Sequence, residues 1–274
     1  MALADDFDGF LIDLDGVVWI GREPVPGAPE ALRALLEAGK QIVFVTNNPG
    51  KPPAAYAERL RSLGVEVDPE RIVTAGMVVA RLAGAAAGPR GSAFVIGGAP
   101  LKEMVAAAGA RLLEEEDGRE ADVVVVSGHR GFDYAELLTA KLALDGGAAL
   151  FATSHDPTMP MPGGEWPGTG SILAAVETAS GRRAEIAGKP ELHLFEMALA
   201  ALDRGSFVTR HVPKEPDDLR VAMIGDRISS DIEGGRRAGL KTILVLSGTS
   251  DRAQAEAAER RPDHVVDDLA ALLR

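Results

Sequence analysis

The sequence predicts an α/β protein with a parallel sheet covered on both faces and a second α/β segment inserted into the chain. Short, almost continuously apolar runs alternate with longer stretches of helical character, which is typical of buried parallel strands and their connecting helices. A stretch rich in Gly and Ala over 82–92 interrupts this series, and new apolar runs follow it. The length of 274 residues is enough for one large domain with an insertion.

The first series of predicted elements lies before residue 80. Residues 28–38, APEALRALLEA, predict a helix that ends at Gly39, because glycine commonly follows the last turn of a helix. The other elements of this series are strands over 10–14, 41–45 and 71–75 and a helix over 52–63.

The middle of the chain predicts a separate α/β unit. Its elements are strands over 93–98, 123–128 and 148–153 and helices over 133–145 and 170–180. The tail returns to the first pattern, with strands over 184–188, 221–225 and 241–246 and helices over 191–202 and 229–238. We therefore predict a core domain over 1–79 and 184–274 and an inserted domain over 80–183.

Composition excludes several classes of protein. The chain has no cysteine, which rules out disulfides and thiolate metal sites and fits a reducing compartment. No run approaches 18 apolar residues and the start lacks the features of a secretory signal, so we expect a cytoplasmic protein without a membrane partner. The net charge of -12 would repel a phosphate backbone, so nucleic acid is not expected as a partner.

Polar residues follow four of the predicted core strands. They are Asp13-Leu14-Asp15-Gly16, Thr46-Asn47-Asn48, Gly188-Lys189-Pro190, and Gly225-Asp226-Arg227 with Asp231 five residues after Asp226. In open α/β sheets, ligands bind beyond the carboxyl ends of the strands. These four segments are therefore predicted to form one site.

The tripeptide Gly-Lys-Pro occurs twice, at 50–52 and at 188–190, and only one lysine belongs at this site. Lys51 lies five residues beyond its strand, in the proline-rich start of a helix. Lys189 directly follows its strand, which favours Lys189.

The segments DLDGV, TNN, GKP and GDRISSDI resemble the four motifs of the haloacid dehalogenase-like (HAD) phosphatases. Their order, and the α/β insertion between the second and third motifs, resemble the NagD-like subfamily, which includes 4-nitrophenyl, phosphoglycolate, glycerol-phosphate and pyridoxal phosphatases. The resemblance covers nearly the whole chain, and residues 167–182, PGTGSILAAVETASGR, resemble the end of that subfamily's cap. It implies a Rossmann-like core with a large α/β cap of the C2 type.

The resemblance also implies a Mg²⁺-dependent phosphomonoesterase that hydrolyses a small phosphorylated metabolite through an aspartyl-phosphate intermediate. Asp13 would be the nucleophile, and Asp15 would be the general acid and then the general base. Alternate residues at a strand end point the same way, so these two carboxylates can share one site. Gly16 would let the chain turn sharply, and the phosphate-binding residues would be Gly16, Thr46, Asn47 and Asn48.

A metal ion is supported by the charges of the predicted site. The predicted site contains four aspartates, which carry four negative charges if all are ionised; they are Asp13, Asp15, Asp226 and Asp231. Lys189 offsets one of these charges and a divalent cation would offset two. Oxygen ligands favour Mg²⁺ over Zn²⁺. The resemblance assigns Asp13, the Asp15 carbonyl and Asp226 as ligands, and Asp231 is expected either just outside the ligand set or as a partner of Lys189.

The inserted domain is expected to select the substrate. The subfamily often has an Asn-Pro-Asp-like segment where this chain has Ser154-His155-Asp156, and often an acid at the position of His129. We therefore regard four cap residues as candidates for substrate specificity: His129, Arg130, His155 and Asp156. Members of the subfamily often dimerise through the cap, so the resemblance also implies a homodimer.

Two alternatives use the same aspartate. Phosphotransferases and mutases of this kind usually carry a small helical cap between the first two motifs, but in this chain only one loop and one helix separate Asp15 from Thr46. A regulatory protein that accepts phosphate on Asp13 is the other alternative, and the acid/base spacing of Asp15 and the large insertion argue against it.

Overall fold

The computed structural model describes residues 2–161, 164–203 and 219–274. The chain forms two compact units. The first, which we call the core unit, comprises Met1–Thr46, Pro53–Val73 and Lys189–Arg274, and the second, the cap unit, comprises Asn47–Pro52 and Thr74–Gly188. Compared with the division predicted from the sequence, the cap unit also includes 74–79, 184–188 and the short segment 47–52.

The strands are numbered in chain order. They are β1 (Gly9–Asp13), β2 (Trp19–Ile20), β3 (Glu23–Pro24), β4 (Gln41–Thr46), β5 (Ile72–Thr74), β6 (Ser92–Ile96), β7 (Arg111–Leu113), β8 (Val123–Val126), β9 (Ala149–Ala152), β10 (Thr158–Met161), β11 (Gly164–Pro167), β12 (Glu185–Ile186), β13 (Val221–Gly225), β14 (Lys241–Val245) and β15 (His264–Val266).

The helices connect and cover these strands. They are α1 (Ala28–Glu37), α2 (Pro53–Ser62), α3 (Ala75–Ala87), α4 (Ala99–Ala107), α5 (Tyr134–Asp145), α6 (Thr169–Ser180), α7 (Leu192–Asp203), α8 (Glu233–Arg237) and α9 (Arg252–Ala257). A wide helical turn over Ile228–Ile232 leads directly into α8. None of the described helices is long and apolar enough to cross a membrane.

The core unit contains a six-stranded sheet in the order β15-β14-β13-β1-β4-β5. β1 lies between β13 and β4 and is parallel to both, with Gly9 opposite Val221 on one side and Gln41 on the other. The chain runs outward from β1 through β4 and β5 and returns on the other side at β13. The boundary between β1 and β13 is therefore the switch point of the sheet, where ligands of such folds bind.

Both faces of β1 are buried, as the apolar run of its sequence predicts. Phe10 and Ile12 pack in the same apolar cluster as Leu32 and Leu35 of α1, while Leu11 is fully buried too. Helix α1 has a proline in its first turn and is followed by Gly39 with a φ of 75°, a conformation that glycine adopts without strain.

The cap unit contains a five-stranded sheet in the order β12-β9-β8-β6-β7 and a separate antiparallel hairpin of β10 and β11. All four pairings within the larger sheet are parallel. The sequence pattern grouped 184–188 with the core series, but β12 pairs with β9 and so extends the cap sheet. A strand of two residues carries too short a pattern to specify its partner, which explains the difference.

Among the described residues, an aspartate immediately precedes a strand at three places and accepts a hydrogen bond from the neighbouring strand or from the residue just before that strand. The Asp8 carboxylate accepts from the Arg220 N–H at 3.1 Å, and the Asp263 carboxylate accepts from the Thr242 N–H at 3.0 Å. In the cap unit, one oxygen of Asp122 accepts from both the N–H and the hydroxyl of Ser92, each at 2.8 Å. These side chains satisfy backbone donors at the amino-terminal edges of the two sheets.

Candidate active site

Two aspartates meet where the adjacent strands β1 and β13 end. Asp13 is the last residue of β1, and Asp226 follows the last residue of β13. Ile12 lies opposite Ile224, so both side chains fall at the same edge of the sheet. Asp13 is only 7% exposed and Asp226 only 4%, so each carboxylate needs a partner within the protein.

Lys189 supplies positive charge to this edge. Its Nζ donates to Asp13 Oδ1 at 2.7 Å and lies 2.7 Å from Asp231 Oδ1, so one buried ammonium pairs with two buried carboxylates. The second oxygen of Asp231 accepts from the Arg227 N–H at 3.0 Å. This geometry corresponds to the predicted partnership of Asp231 with Lys189, whereas Lys51 is an exposed residue of the cap unit.

Burial and charge shift the pKa values of these groups. Burial raises the pKa of Asp13 well above its usual range and the nearby carboxylates add to the effect, although Lys189 opposes it. Burial, followed by the charge of Asp231, also raises the pKa of Asp226. Burial alone would lower the pKa of Lys189, but the carboxylates of Asp13 and Asp231 outweigh it and raise that pKa. The cluster therefore has an excess of negative charge that a cation would relieve.

The donor set fits a hard divalent cation. Asp13, Asp226 and Asp231 are buried, and each offers a carboxylate oxygen within 4.8 Å of those of the others. Lys189 balances the charge of one of these three carboxylates when all are ionised, which leaves two negative charges. Oxygen ligands and a surplus of two charges suit Mg²⁺. The Asp15 carbonyl, the other predicted ligand, lies two residues beyond Asp13 in the loop that follows β1.

Gly16 is required by its conformation and by its neighbour. Its φ is +88°, which non-glycine residues rarely adopt. A Cβ at this position would lie 2.4 Å from Asp226 Oδ2, so any side chain would displace the carboxylate. The loop after β1 and the end of β13 therefore touch at a position that only glycine allows.

A loop outside the four predicted segments also holds Asp226. After β14, the Thr249 N–H donates to Asp226 Oδ2 at 2.6 Å and the Ser250 N–H donates to the Asp226 carbonyl at 3.0 Å. The Ser247 hydroxyl donates to the Gly16 carbonyl at 2.7 Å. The signal was present in the sequence, because Ser-Gly-Thr-Ser at 247–250 follows an apolar strand just as the four predicted segments do.

The side chain of Asp15 is held by Trp19. The indole Nε1–H donates to Asp15 Oδ1 at 3.0 Å. Trp19 was not among the predicted site residues, since a tryptophan four positions after an aspartate gives no specific signal. Only the turn that brings residues 15 and 19 together reveals the contact.

The predicted phosphate-binding residues after β4 belong to different units. Thr46 is the buried last residue of β4 in the core unit, whereas Asn47 and Asn48 belong to the cap unit. Asn47 Nδ2 donates to Asp156 Oδ2 at 3.0 Å, and Asn48 Oδ1 accepts from the Gly50 N–H at 2.9 Å. One predicted phosphate ligand is thus hydrogen-bonded to one predicted specificity residue.

The other candidate specificity residues of the cap unit have local partners or are exposed. His129 Nε2 lies 2.8 Å from Glu136 Oε2, and the Arg130 guanidinium lies 4.3 Å from the centre of the Trp166 ring. His155 is exposed. These contacts stabilise the cap unit, and a role in specificity stays a prediction for all four candidates.

Comparisons with known proteins indicate the family of this chain. A family model described as haloacid dehalogenase-like hydrolase matches residues 10–111, and one described as HAD-hydrolase-like matches residues 186–272. Chronophin from Bos taurus is 39% identical over 261 residues, which cover 91% of this chain and 84% of the relative.

Two solved structures are similar over nearly the whole chain. Glycerol phosphate phosphatase from Mycobacterium tuberculosis, in complex with magnesium, is 34% identical with a TM-score of 0.85 and covers 100% of this chain and 78% of its own. The p-nitrophenyl phosphatase from Archaeoglobus fulgidus is 30% identical with a TM-score of 0.83 and covers 97% of this chain and 98% of its own.

An α/β sheet with buried carboxylates and a lysine at its carboxyl edge, in a chain similar to phosphatases over nearly its whole length, indicates a hydrolase of phosphate esters. The chain belongs to the haloacid dehalogenase-like hydrolase family. Within that family it is a Mg²⁺-dependent phosphatase, so the family, the fold class, the reaction and the cofactor predicted from the sequence are confirmed.

Proposed function

We propose that Asp13 is the nucleophile and Asp15 the proton carrier of a two-step hydrolysis. In the first step, an Asp13 oxygen bonds to phosphorus while the ester P–O bond breaks, and the departing alkoxide takes a proton from Asp15. In the second step, water attacks phosphorus, the bond between phosphorus and Asp13 breaks, and Asp15 takes the proton of the water. The observation that carries this proposal is the buried Asp13 carboxylate, paired with Lys189 at the switch point of the sheet.

The surrounding residues would keep Asp13 reactive and neutralise the phosphate. Lys189 holds Asp13 at 2.7 Å and opposes the effect of burial on its pKa, so it favours the ionised nucleophile. Asp13, Asp226 and the Asp15 carbonyl would hold Mg²⁺, and Asp231 would position Lys189. When bound, Mg²⁺ supplies positive charge that stabilises the oxygens of the transferred phosphoryl group. Gly16, Thr46, Asn47 and Asn48 would bind and orient those oxygens.

We infer that the substrate is a small phosphate monoester. The names of the similar proteins support both alkyl esters, such as glycerol phosphate, and aryl esters, such as 4-nitrophenyl phosphate. Phosphoglycolate, pyridoxal phosphate and nucleoside monophosphates complete the candidates. A panel of such metabolites, assayed for phosphate release with Mg²⁺, tests the proposal. One ester with a kcat/KM at least about tenfold above the rest would identify the substrate class, and no turnover of any member would contradict the proposal.

Trapping the phosphorylated chain separates this function from its alternatives. Acid quenching during turnover should give a phosphorylated protein whose label maps to Asp13 and disappears within one turnover when substrate is removed. A label that persists without phosphate release would instead support the regulatory alternative. Transfer of the label to an added alcohol in preference to water would support a phosphotransferase.

Three further proposals concern the role of the cap unit, the oligomeric state and the location in the cell. Thr74–Gly188, the larger part of the cap unit, would select the substrate, with His129, Arg130, His155 and Asp156 as the residues to vary first. We further propose a cytoplasmic homodimer that assembles through the cap unit. Sedimentation of the wild-type chain at micromolar concentration tests the dimer, and a single monomeric species would contradict it.

A further inference from the structure

Trp19 lies in the apolar core of the core unit, and two residues of α2, Tyr56 and Arg59, contact its ring. It is fully buried. The Arg59 guanidinium lies over the ring, 3.8 Å from its centre, within cation–π distance. The Tyr56 ring is parallel to it within 3°, with a centroid distance of 6.4 Å, on the scale of offset stacking.

The backbone around Trp19 is equally constrained. The Trp19 N–H donates to the Leu14 carbonyl at 3.2 Å, and the Trp19 carbonyl accepts from the Gly16 N–H at 2.7 Å. Arg59 is fixed in turn, because its Nη2 donates to the Gly21 carbonyl at 2.7 Å. The backbone that carries Trp19 is therefore fixed within the turn that follows Asp13, and so is the guanidinium that contacts its ring.

The ring has one polar atom, and that atom donates to Asp15. An indole N–H is a donor only, so it cannot exchange protons with a carboxylate at ordinary pH, but it can fix the direction of one carboxylate oxygen. The bond to Asp15 Oδ1 is 3.0 Å long. A side chain as short as aspartate, held at one oxygen, loses most of its rotational freedom.

We propose that Trp19 is a positioning residue that aims the Asp15 carboxylate at the oxygen of the leaving group. Arg59 and Tyr56 hold the ring, and the ring holds the acid. The inference rests on the proposed role of Asp15 as proton carrier. It assigns to a buried core tryptophan a contribution to rate and not to stability alone.

Esters with different leaving groups provide the test. An alkoxide is a strong base and needs its proton as it departs, whereas 4-nitrophenolate is a weak base and departs without one. The parameter kcat/KM includes only steps up to departure of the alcohol. A poorly aimed Asp15 should therefore lower kcat/KM for glycerol phosphate and leave it almost unchanged for 4-nitrophenyl phosphate.

The variant for this test is Trp19→Phe, which keeps an aromatic ring in contact with Arg59 and Tyr56 but removes the hydrogen-bond donor. We expect kcat/KM for glycerol phosphate to fall about 10- to 100-fold, part of the ~10²–10⁴-fold that general acid catalysis contributes. The value for 4-nitrophenyl phosphate should change by less than about threefold. Equal losses for both esters, or no loss for either, would overturn the proposal.

Two controls make the result specific. Leu35→Ala removes volume from the same apolar cluster and should lower the melting temperature without changing the ratio of the two kcat/KM values. Asp15→Asn should abolish hydrolysis of the alkyl ester. If Asp15→Asn retained that activity, the role of Asp15 itself would fail; if only Trp19→Phe were silent, the positioning role alone would fail.

A spectroscopic measurement covers the case in which Trp19→Phe does not fold. The chain has two tryptophans, so a ¹H–¹⁵N spectrum shows two indole signals. Asp15→Ala should move the Trp19 indole proton upfield, because its acceptor is lost, and leave the Trp166 signal in place. An unmoved Trp19 signal would show that the hydrogen bond is absent in solution and would overturn the proposal.

Discussion

The predicted catalytic charges of the core unit and two candidate specificity residues of the cap unit, His129 and Arg130, are held in different ways. In the core unit, three buried aspartates form a cluster, and the buried Lys189 pairs with two of them; these groups come from parts of the chain as far apart as residues 13 and 231. In the cap unit, His129 pairs with Glu136, seven residues further along the chain, and Arg130 is exposed.

This difference indicates that the exposed charges of the cap unit tolerate substitution better than the buried charges of the core unit. Removing one partner of a buried ion pair leaves an uncompensated charge, so the core cluster constrains all its members at once. An exposed charge is screened by water, and its replacement usually costs little. The catalytic residues of the core unit can therefore stay the same while substitutions in the cap unit change which substrate is accepted.

The largest expected effect is that of Asp13→Asn. An amide is not a nucleophile at phosphorus, so kcat should fall by roughly 10⁴-fold or more, as for other lost covalent nucleophiles. Phosphate release under saturating substrate measures the loss, and circular dichroism should show an unchanged fold. Activity within tenfold of wild type would remove Asp13 from its proposed role.

Removal of the metal should affect the core unit and leave the cap unit unchanged. Chelation with EDTA should stop turnover and added Mg²⁺ should restore it. Mg²⁺ at 100 times its Kd should also raise the unfolding free energy by about 2.7 kcal/mol. Hydrogen exchange should localise this protection to β1 and β13, with the cap sheet unchanged. Turnover that is indifferent to chelation would contradict the metal site.

A matched pair of substitutions at the two Gly-Lys-Pro sequences compares the units directly. Lys189→Met leaves two buried carboxylates without their cation, and we expect a loss of about 3–5 kcal/mol in unfolding free energy. We also expect a fall in kcat of roughly 10²–10³-fold, typical of a lost electrostatic stabiliser. Lys51→Met, at an exposed position, should change stability by less than about 0.5 kcal/mol. Urea unfolding and phosphate release measure both, and equal losses would contradict the comparison.

A small effect that depends on pH is expected at Asp122 in the cap unit. Hydrogen bonds from the Ser92 backbone and hydroxyl lower the pKa of Asp122, opposite to the direction at Asp13. Its stabilising contribution is therefore present above the unfolded pKa and is lost as pH falls through the lower folded value. Because the group is exposed, the contribution should be under about 1 kcal/mol.

Asp122→Asn should flatten this acid dependence, measured as melting temperature between pH 5 and pH 2 (a window set by the usual aspartate pKa). Activity at neutral pH should stay at the wild-type value. A steeper acid dependence in the variant than in the wild type would show that the sign is wrong.

The sequence was most informative where buried strands end in polar residues. An apolar run such as Phe10–Ile12 has few ways to be buried, and a charge directly after it must lie at the sheet edge. Position alone therefore distinguished Lys189 from Lys51. The same rule would have found the loop at 247–250, which follows β14.

Other features depend on contacts that no local pattern encodes. The pairing of β12 with β9 rests on two residues, and the hairpin of β10 and β11 contains two prolines, which strand patterns disfavour. In the sequence, Trp19 looks like an ordinary residue of the apolar core. Only the folded structure places its indole Nε1 beside the carboxylate of Asp15. The sequence did not reveal the partners of His129 and Arg130 for the same reason, because their contacts with Glu136 and Trp166 form only in the folded cap unit.

The place of β13 in the sheet has a consequence for synthesis of the chain. Gly9 pairs with Val221, so the central strand of the core unit lacks this partner until more than 200 further residues have been translated. The cap sheet uses only strands between Ser92 and Ile186 and can assemble while the ribosome is still working. Asp226 and Asp231 are then among the last groups to arrive. A chain released early can therefore contain a finished cap sheet, but it cannot be an active phosphatase.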